Sequence, residues 1–414
     1  MRLRVPPLDW PLAFGTLGLV AIGLLTVYSA TSVPGAHEGL WIKQFLWFGA
    51  ALVAAWIVAS IHYRVYDSFS WPMYIVSLVL LVLVFLIGVE RLGAKRWIAI
   101  GGFQFQPSEI AKVATAFVLA RYFDNPRLDL SRIRWWLPPI LIAIVPFVLV
   151  AKEPDLGTAS SFPAMLIAMF FWAGLRLSSL LVGLSPIVAV AAFVLAQVDA
   201  RHAAQIATVV TSIYFGIVIF TTRPKLPFVV IMLVLNLGLI AFLMPKVYDN
   251  MHDYQKKRVE TFLNPEADKS GSGYQVFQSK IAIGSGGLVG KGYLQGSQKA
   301  LSFLPMRHTD FIYSVVGEEF GLLGALTVIL LYGIVILRGY RLAVIARDGF
   351  AGLMAVGITT ALFFHIMVNM LMTVGWAPVT GVPLPFLSYG GTALIVNCVQ
   401  IGLLQNVALR RREY

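Results

Sequence analysis

The stretch "PLAFGTLGLVAIGLLTVYSA" (residues 11–30) decides the fold class, because it carries no charged side chain. A helix of this length rises about 30 Å, the thickness of a bilayer's hydrocarbon core. The basic start "MRLR" raises a signal-peptide reading. The run is too long for a signal h-region and no soluble domain follows, so a retained span is expected. Working outward, comparable runs recur near 40–60, 71–89, 107–123, 136–151, 158–174, 178–198, 205–222, 226–245, 310–337, 351–373 and 384–408. The chain is 58% hydrophobic and 13% charged, with a mean hydropathy of +0.79; soluble domains are about 25% charged. The expected fold is all-α: a polytopic integral membrane protein of about 12 transmembrane helices. A β-barrel would show alternating segments of about ten residues, and none appear.

The net charge of +12 would point a soluble protein toward nucleic acid. In a membrane protein it reflects basic residues gathered in cytoplasmic loops. With the N-terminus inside, Arg121, Arg127, Arg132, Arg134, Arg338, Arg341, Arg347, Arg410 and Arg411 all fall inside, and both termini are cytoplasmic. Removing one span would put the cluster Arg338, Arg341 and Arg347 outside, so the charge pattern tests an even count. The single cysteine, Cys398, allows no intrachain disulfide. The outside exceptions are Arg91, Lys95 and Arg96, together with most of the long loop 246–309. That loop carries Lys256, Lys257, Arg258, Lys280, Lys291 and Lys299, and structureless loops of this length are usually functional. Within it, "YQVFQSKIAIGSGGLVGKGYL" reads as a short amphipathic helix followed by a glycine-rich turn.

Four motifs carry the charge. "GSGGLVGKG" (284–292) is not a P-loop: Ser285 stands where the first glycine belongs, and Gly292 replaces the required Ser or Thr. "QPSEIAKVATAF" (106–117) opens a helix on Pro107, and Glu109 and Lys112, three apart, share a face as a structural ion pair or a cavity lining. "AKEPDLGTA" (151–159) places Lys152, Glu153 and Asp155 at an outer helix junction, either as a solvated loop or near a cavity mouth. "GVPLPFLSYGGTALIVN" (381–397) is a proline-broken entry to the last span, with Ser388 and Tyr389 before two glycines. His365 and Asn369, four apart, favour interhelical hydrogen bonding. No HExxH or Cys/His pairing signals a zinc site. A carboxylate-held Mg²⁺ or Mn²⁺ shared with substrate phosphates needs few ligands and stays open. No organic cofactor is expected.

The sharpest stretch is "LPMRHTDFIYSVVGEEFG" (304–321). Thr309 or Asp310 would cap the helix. Glu318 and Glu319, about 12 Å further along the axis, read as lining a wet, polar cleft. Arg307 beside Asp310 would hold that carboxylate ionised. Such a carboxylate, ringed by cations, suits transfer of a sugar from a diphosphate: the base takes the acceptor's hydroxyl proton, and cations stabilise the leaving group.

In this order, "QPSEIAK", "KEPDLGT", "GYQVFQSKIAIGSGGLVGKGYLQGSQKALSFLPMRHTDFIYSVVGEEFGLLG" and "GVPLPFLSYGGTALIVN" resemble the SEDS family of cell-wall polymerases (shape, elongation, division and sporulation). "RHTDF" and "GVPLP" are similar to its RodA elongation branch rather than its FtsW division branch. The resemblance implies a peptidoglycan glycosyltransferase joining lipid II disaccharides outside the bacterial cytoplasmic membrane, with a class B penicillin-binding protein as partner and no nucleic acid. The family's essential aspartate falls on Asp310 and its membrane ion pair on Glu109 and Lys112. Its loop residues include Arg258, Lys280 and Lys291. Lys95, Arg96, Arg307, His308, Glu318 and Ser388 join the expected substrate contacts, inferred from charge and position. One membrane domain is expected, with an extra helical hairpin over 203–245, because the family usually has ten spans. A lipid II flippase is the rival reading, since intramembrane charge also suits transport.

Overall fold

The structure is a computed structural model describing residues 8–32, 39–91, 94–100, 103–199, 202–250, 253–264, 271–297 and 306–411. Among these residues, ten helices are long and apolar enough to cross a membrane. The other two expected spans are helical but shorter: Pro107–Phe123, with 17 residues, and the apolar stretch Leu156–Trp172. The all-α membrane fold holds, with one small addition. Three short strands, β1 (Val89–Arg91), β2 (Ala94–Ile100) and β3 (Phe103–Phe105), form an antiparallel sheet in the order β1-β2-β3.

The chain packs as two compact units: residues 1–173 with 278–414, and residues 174–277. The first unit holds α1 (Trp10–Thr31), α2 (Leu40–Ser60), α3 (Tyr63–Ser68), α4 (Ser70–Ile87), α5 (Pro107–Phe123), α6 (Leu137–Lys152), α7 (Leu156–Ala159) and α8 (Ser161–Trp172). The second holds α9 (Leu177–Leu195), α10 (Ala203–Thr222), α11 (Leu226–Gly238), a π-helical turn (Leu239–Leu243), α12 (Met244–Asp249) and α13 (Asp253–Leu263). Helix α14 (Ser272–Ser285) runs back into the first unit, which α15 (Ile312–Ile345), α16 (Gly349–Thr373) and α17 (Gly391–Arg410) complete.

Within the first unit, α5 and α16 form the centre, and nearly every α5 side chain is buried. Pro107 occupies the first turn, where its missing N–H costs nothing. Glu109 in the first turn and Arg121 in the last complement the helix dipole. Packing between helices uses small residues rather than a hydrophobic drive that lipid does not supply; a Cβ on Gly357 of α16 would come within 3.1 Å of Ala116 on α5. At one end of this unit Asp9 caps α1 and pairs with Arg338 of α15, while Gln405 of α17 exchanges two hydrogen bonds of 2.9 Å with the Asp9 backbone. Arg347, Arg410 and Arg411 line a recess at the same end. Asp310 lies just before the start of α15, at the end of that helix away from Arg338.

Helix α15 departs from the expected continuous span. It is broken at Gly321, with φ 63° and ψ −160°. The last helix also starts later than expected: residues 377–390 are largely irregular, and α17 begins at Gly391.

Candidate functional site

Asp310 lies, partly exposed, in the turn 306–311 that precedes α15. The turn closes on itself through the Phe311 N–H donating to the Met306 carbonyl at 3.2 Å. Neighbouring elements grip it by its backbone. Tyr389 N–H donates to the His308 carbonyl at 2.9 Å, and the Ser388 hydroxyl donates to the Thr309 carbonyl at 2.6 Å. Asn369 Nδ2 of α16 donates to the Asp310 carbonyl at 2.8 Å and to the Val382 carbonyl at 2.7 Å. Arg307 is buried and its Nε donates to the Ala30 carbonyl of α1 at 2.9 Å. The capping expectation is corrected here. Phe311 is the N-cap and makes no side-chain cap bond, because the closed turn places the helix start beyond Asp310. The Asp310 Oδ2 lies alongside Gly381, where a Cβ would sit 3.5 Å away. His308 is half-buried, with its ring 6.2 Å from that of Tyr389.

Glu318 and Glu319 do not line a wet cleft; both are 1% exposed. The break at Gly321 diverts two helical hydrogen bonds. Leu322 and Leu323 N–H donate to the carbonyls of Gly287 and Leu288, at 2.9 and 3.1 Å. In exchange, Lys291 and Gly292 N–H donate to the carbonyls of Glu318 and Glu319, at 3.0 and 3.1 Å. The glycine-rich motif is therefore a docked loop, and its glycines are demanded by contact. A Cβ on Gly286 would lie 2.0 Å from the Gly317 carbonyl oxygen, and one on Gly290 would lie 2.1 Å from that of Glu319. The Glu318 carboxylate accepts from Lys291 Nζ at 2.7 Å and from Ser297 N–H at 2.8 Å, and Ser29 donates to Glu319. Two expected substrate contacts, Glu318 and Lys291, thus serve as each other's partners: a buried carboxylate is costly without a cation, and the docked loop supplies one.

A third cluster joins the small sheet to the junction after α6. Arg96 of β2 donates through Nε to the Glu153 carbonyl at 3.0 Å and through Nη2 to that of Pro154. Asp155 caps α7 by accepting from Thr158 N–H at 3.1 Å, and also accepts from Gln106 Nε2 at 2.8 Å. Glu153 is buried, and among the described residues neither of its carboxylate oxygens has a hydrogen-bond partner. Burial, reinforced by the nearby Asp155 charge and opposed by Arg96, pushes its carboxyl up to about 9. Lys152 and Lys95 are exposed, and Lys95 faces Glu90 in the strand register.

Glu109 and Lys112 form a buried ion pair at 2.9 Å, and Lys112 Nζ also reaches the His365 ring at 3.2 Å. The His365 contact joins α16 to α5, whereas Asn369 bonds not to a helix but to the Asp310 turn and the irregular segment at Val382. Lys280 is exposed on α14, and Arg258 lies on α13 of the second unit. Lys299 falls outside the described residues. Among the described residues, no three of His, Cys, Asp or Glu gather into a ready metal cage; a Mg²⁺ or Mn²⁺ drawing most ligands from substrate phosphate would need only one carboxylate. Sequence reasoning passed over Gln44, which is buried in α2 and bonded to the 388–390 backbone. A lone amide in an apolar span was the signal available.

Comparison with known proteins places this arrangement. The family model covering FtsW, RodA and SpoVE, described as cell cycle protein, matches residues 10–212 and 180–413. Peptidoglycan glycosyltransferase MrdB of Escherichia coli K12 is 38% identical over 400 residues, covering 96% of this chain and 94% of its own. Stage V sporulation protein E of Bacillus subtilis is 30% identical, covering 97% and 96%. Among solved structures, a chain from a study of how a peptidoglycan synthase complex coordinates polymerization and crosslinking superposes with a TM-score of 0.72, at 28% identity, covering 98% of this chain and 99% of its own. Thermus thermophilus rod shape determining protein RodA superposes with a TM-score of 0.64, at 25% identity, covering 98% of each chain. With the family model and these relatives matching nearly the whole chain, the chain belongs to the FtsW, RodA and SpoVE family of cell cycle proteins.

Proposed function

We propose that this protein is a peptidoglycan glycosyltransferase of the RodA type, polymerising lipid II into glycan strands with Asp310 as the base. The supporting observation is a partly exposed carboxylate on a turn whose backbone is fixed from α16 and from the 388–389 segment. The acceptor sugar's 4-hydroxyl attacks the anomeric carbon of the donor. Its proton passes to the Asp310 carboxylate, a C–O bond forms, and the bond to the diphosphate breaks. Undecaprenyl diphosphate leaves, with inversion at the anomeric carbon. Preorganisation is the turn's contribution: a base held by its own backbone loses little freedom as the reaction proceeds. The exposed Lys95 and Lys280 are available to draw in anionic headgroups. The chain crosses the cytoplasmic membrane twelve times, with both termini inside and Asp310 on the outer face. Its partner is a class B penicillin-binding protein.

Purified protein in detergent tests this with lipid II as substrate. The Asp310→Asn variant should insert, bind its partner and lose polymerisation by at least about 100-fold. Strand synthesis by that variant at the wild-type rate overturns the assignment. A flippase would yield no strands from wild-type protein in detergent, where there are no two compartments to connect.

A further inference from the structure

We infer that Gln44, buried in α2, is a positioning residue for the Asp310 turn; this rests on Asp310 acting as the base. Gln44 is 2% exposed, and both ends of its amide are used on one stretch of backbone. Its Nε2 donates to the Ser388 carbonyl at 3.1 Å, and its Oε1 accepts from Gly390 N–H at 3.2 Å. The stretch needs such a partner. Residues 388–390 are irregular, and Gly390 is the N-cap of α17 with no side-chain cap bond. Unwound backbone at membrane depth must find its hydrogen bonds within the protein. α2 supplies both, and it packs so closely here that a Cβ on Gly391 would lie 2.7 Å from Trp47 Nε1.

The same residues grip the reactive turn from their other side. Ser388 accepts from Leu384 N–H at 2.7 Å and donates to the Thr309 carbonyl at 2.6 Å, while Tyr389 N–H holds the His308 carbonyl at 2.9 Å. The two carbonyls immediately before Asp310 therefore hang on the segment that Gln44 fixes. Gln44 reaches the base through two steps, each a pair of short polar contacts. A displacement of about 1 Å at a reacting group costs up to about 100-fold in rate. Such a residue acts on turnover and leaves substrate capture alone.

The experiment measures initial polymerisation rates against lipid II concentration for purified wild type, Gln44→Leu, Gln44→Glu and Asp310→Asn. Gln44→Leu fills most of the volume with an apolar side chain and removes both hydrogen bonds. Its kcat should fall about 10- to 100-fold, with KM within about threefold. Gln44→Glu adds a pH readout that a merely structural role would not give. A neutral carboxyl can donate to the Ser388 carbonyl and accept from Gly390 N–H, whereas a carboxylate can only accept. Its kcat relative to wild type should therefore decline as pH rises. If Asp310→Asn is inactive while Gln44→Leu keeps the wild-type kcat, the Gln44 inference is overturned and the base stands. If Asp310→Asn is active, the base reading falls, whatever Gln44 does. Should Gln44→Leu fail to fold, the Glu variant decides: a pH-independent ratio overturns the inference, and a declining ratio supports it.

Discussion

Replacing Glu153 by glutamine should stabilise this protein, and do so more as pH rises. Glu153 is 1% exposed, its oxygens accept no hydrogen bond among the described residues, and Arg96 beside it donates to main-chain carbonyls. Its carboxyl is pushed from an ordinary 4.5 up to about 9, first by burial and then by Asp155. A raised carboxyl favours folding fully below 4.5, and that contribution drains away as pH climbs toward about 9. Across that window the folded protein holds a proton that the unfolded chain has released. At about pH 7.5, three units above the ordinary value, the cost to folding is about 4 kcal/mol at ~1.4 kcal/mol per unit. Glutamine has the shape of the neutral acid and nothing to ionise, so it removes this cost. For a chain of this size, 4 kcal/mol corresponds to a rise in Tm on the order of 5 °C. Thermal unfolding of purified wild type and Glu153→Gln in detergent, from pH 5 to pH 9, measures it. The difference in Tm should be near zero at the acid end and widen with pH. A variant less stable than wild type at pH 8, or a difference that ignores pH, would mean that Glu153 is ionised and partnered, and the reasoning would fail.

Two further predictions concern the first unit. Gly321→Ala puts a Cβ at φ 63°, 2.3 Å from the Gly290 backbone nitrogen, so the broken helix and its docked loop cannot both persist; a stability loss of about 4 kcal/mol or more is expected, and an unchanged Tm would show that the break is dispensable. Lys112→Met strands the buried Glu109 carboxylate and should cost about 3–5 kcal/mol, while the double variant Glu109→Gln with Lys112→Met should regain most of it; a double variant no better than the single would refute the pairing.

The glutamates of "VVGEEFG" show where sequence reading stopped. Charge in an apolar helix signals something beyond lipid, and that much is local. Whether the charge faces water or a partner depends on which distant chain arrives. Here it is residues 286–297, and Lys291 and Ser297 surround Glu318. A helix break at Gly321 was equally hidden, because glycine inside an apolar helix has no local mark separating a packing contact from a left-handed turn. By contrast, the Glu109 and Lys112 pair was visible, since three residues of helix bring both onto one face wherever the helix lies.

The sequence by itself determined the membrane class, the order of the helices and the sites of the charged motifs. Hydrocarbon thickness, helical periodicity and the cost of buried charge act along the chain and need no knowledge of what packs against it. Only the tertiary structure decided that α15 begins beyond Asp310, that Glu318 is neutralised by a glycine-rich loop, and that Gln44 is bonded to the segment behind the reactive turn. Hydrogen bonds between residues hundreds of positions apart depend on how helices meet, and that is set by the packing of the whole unit.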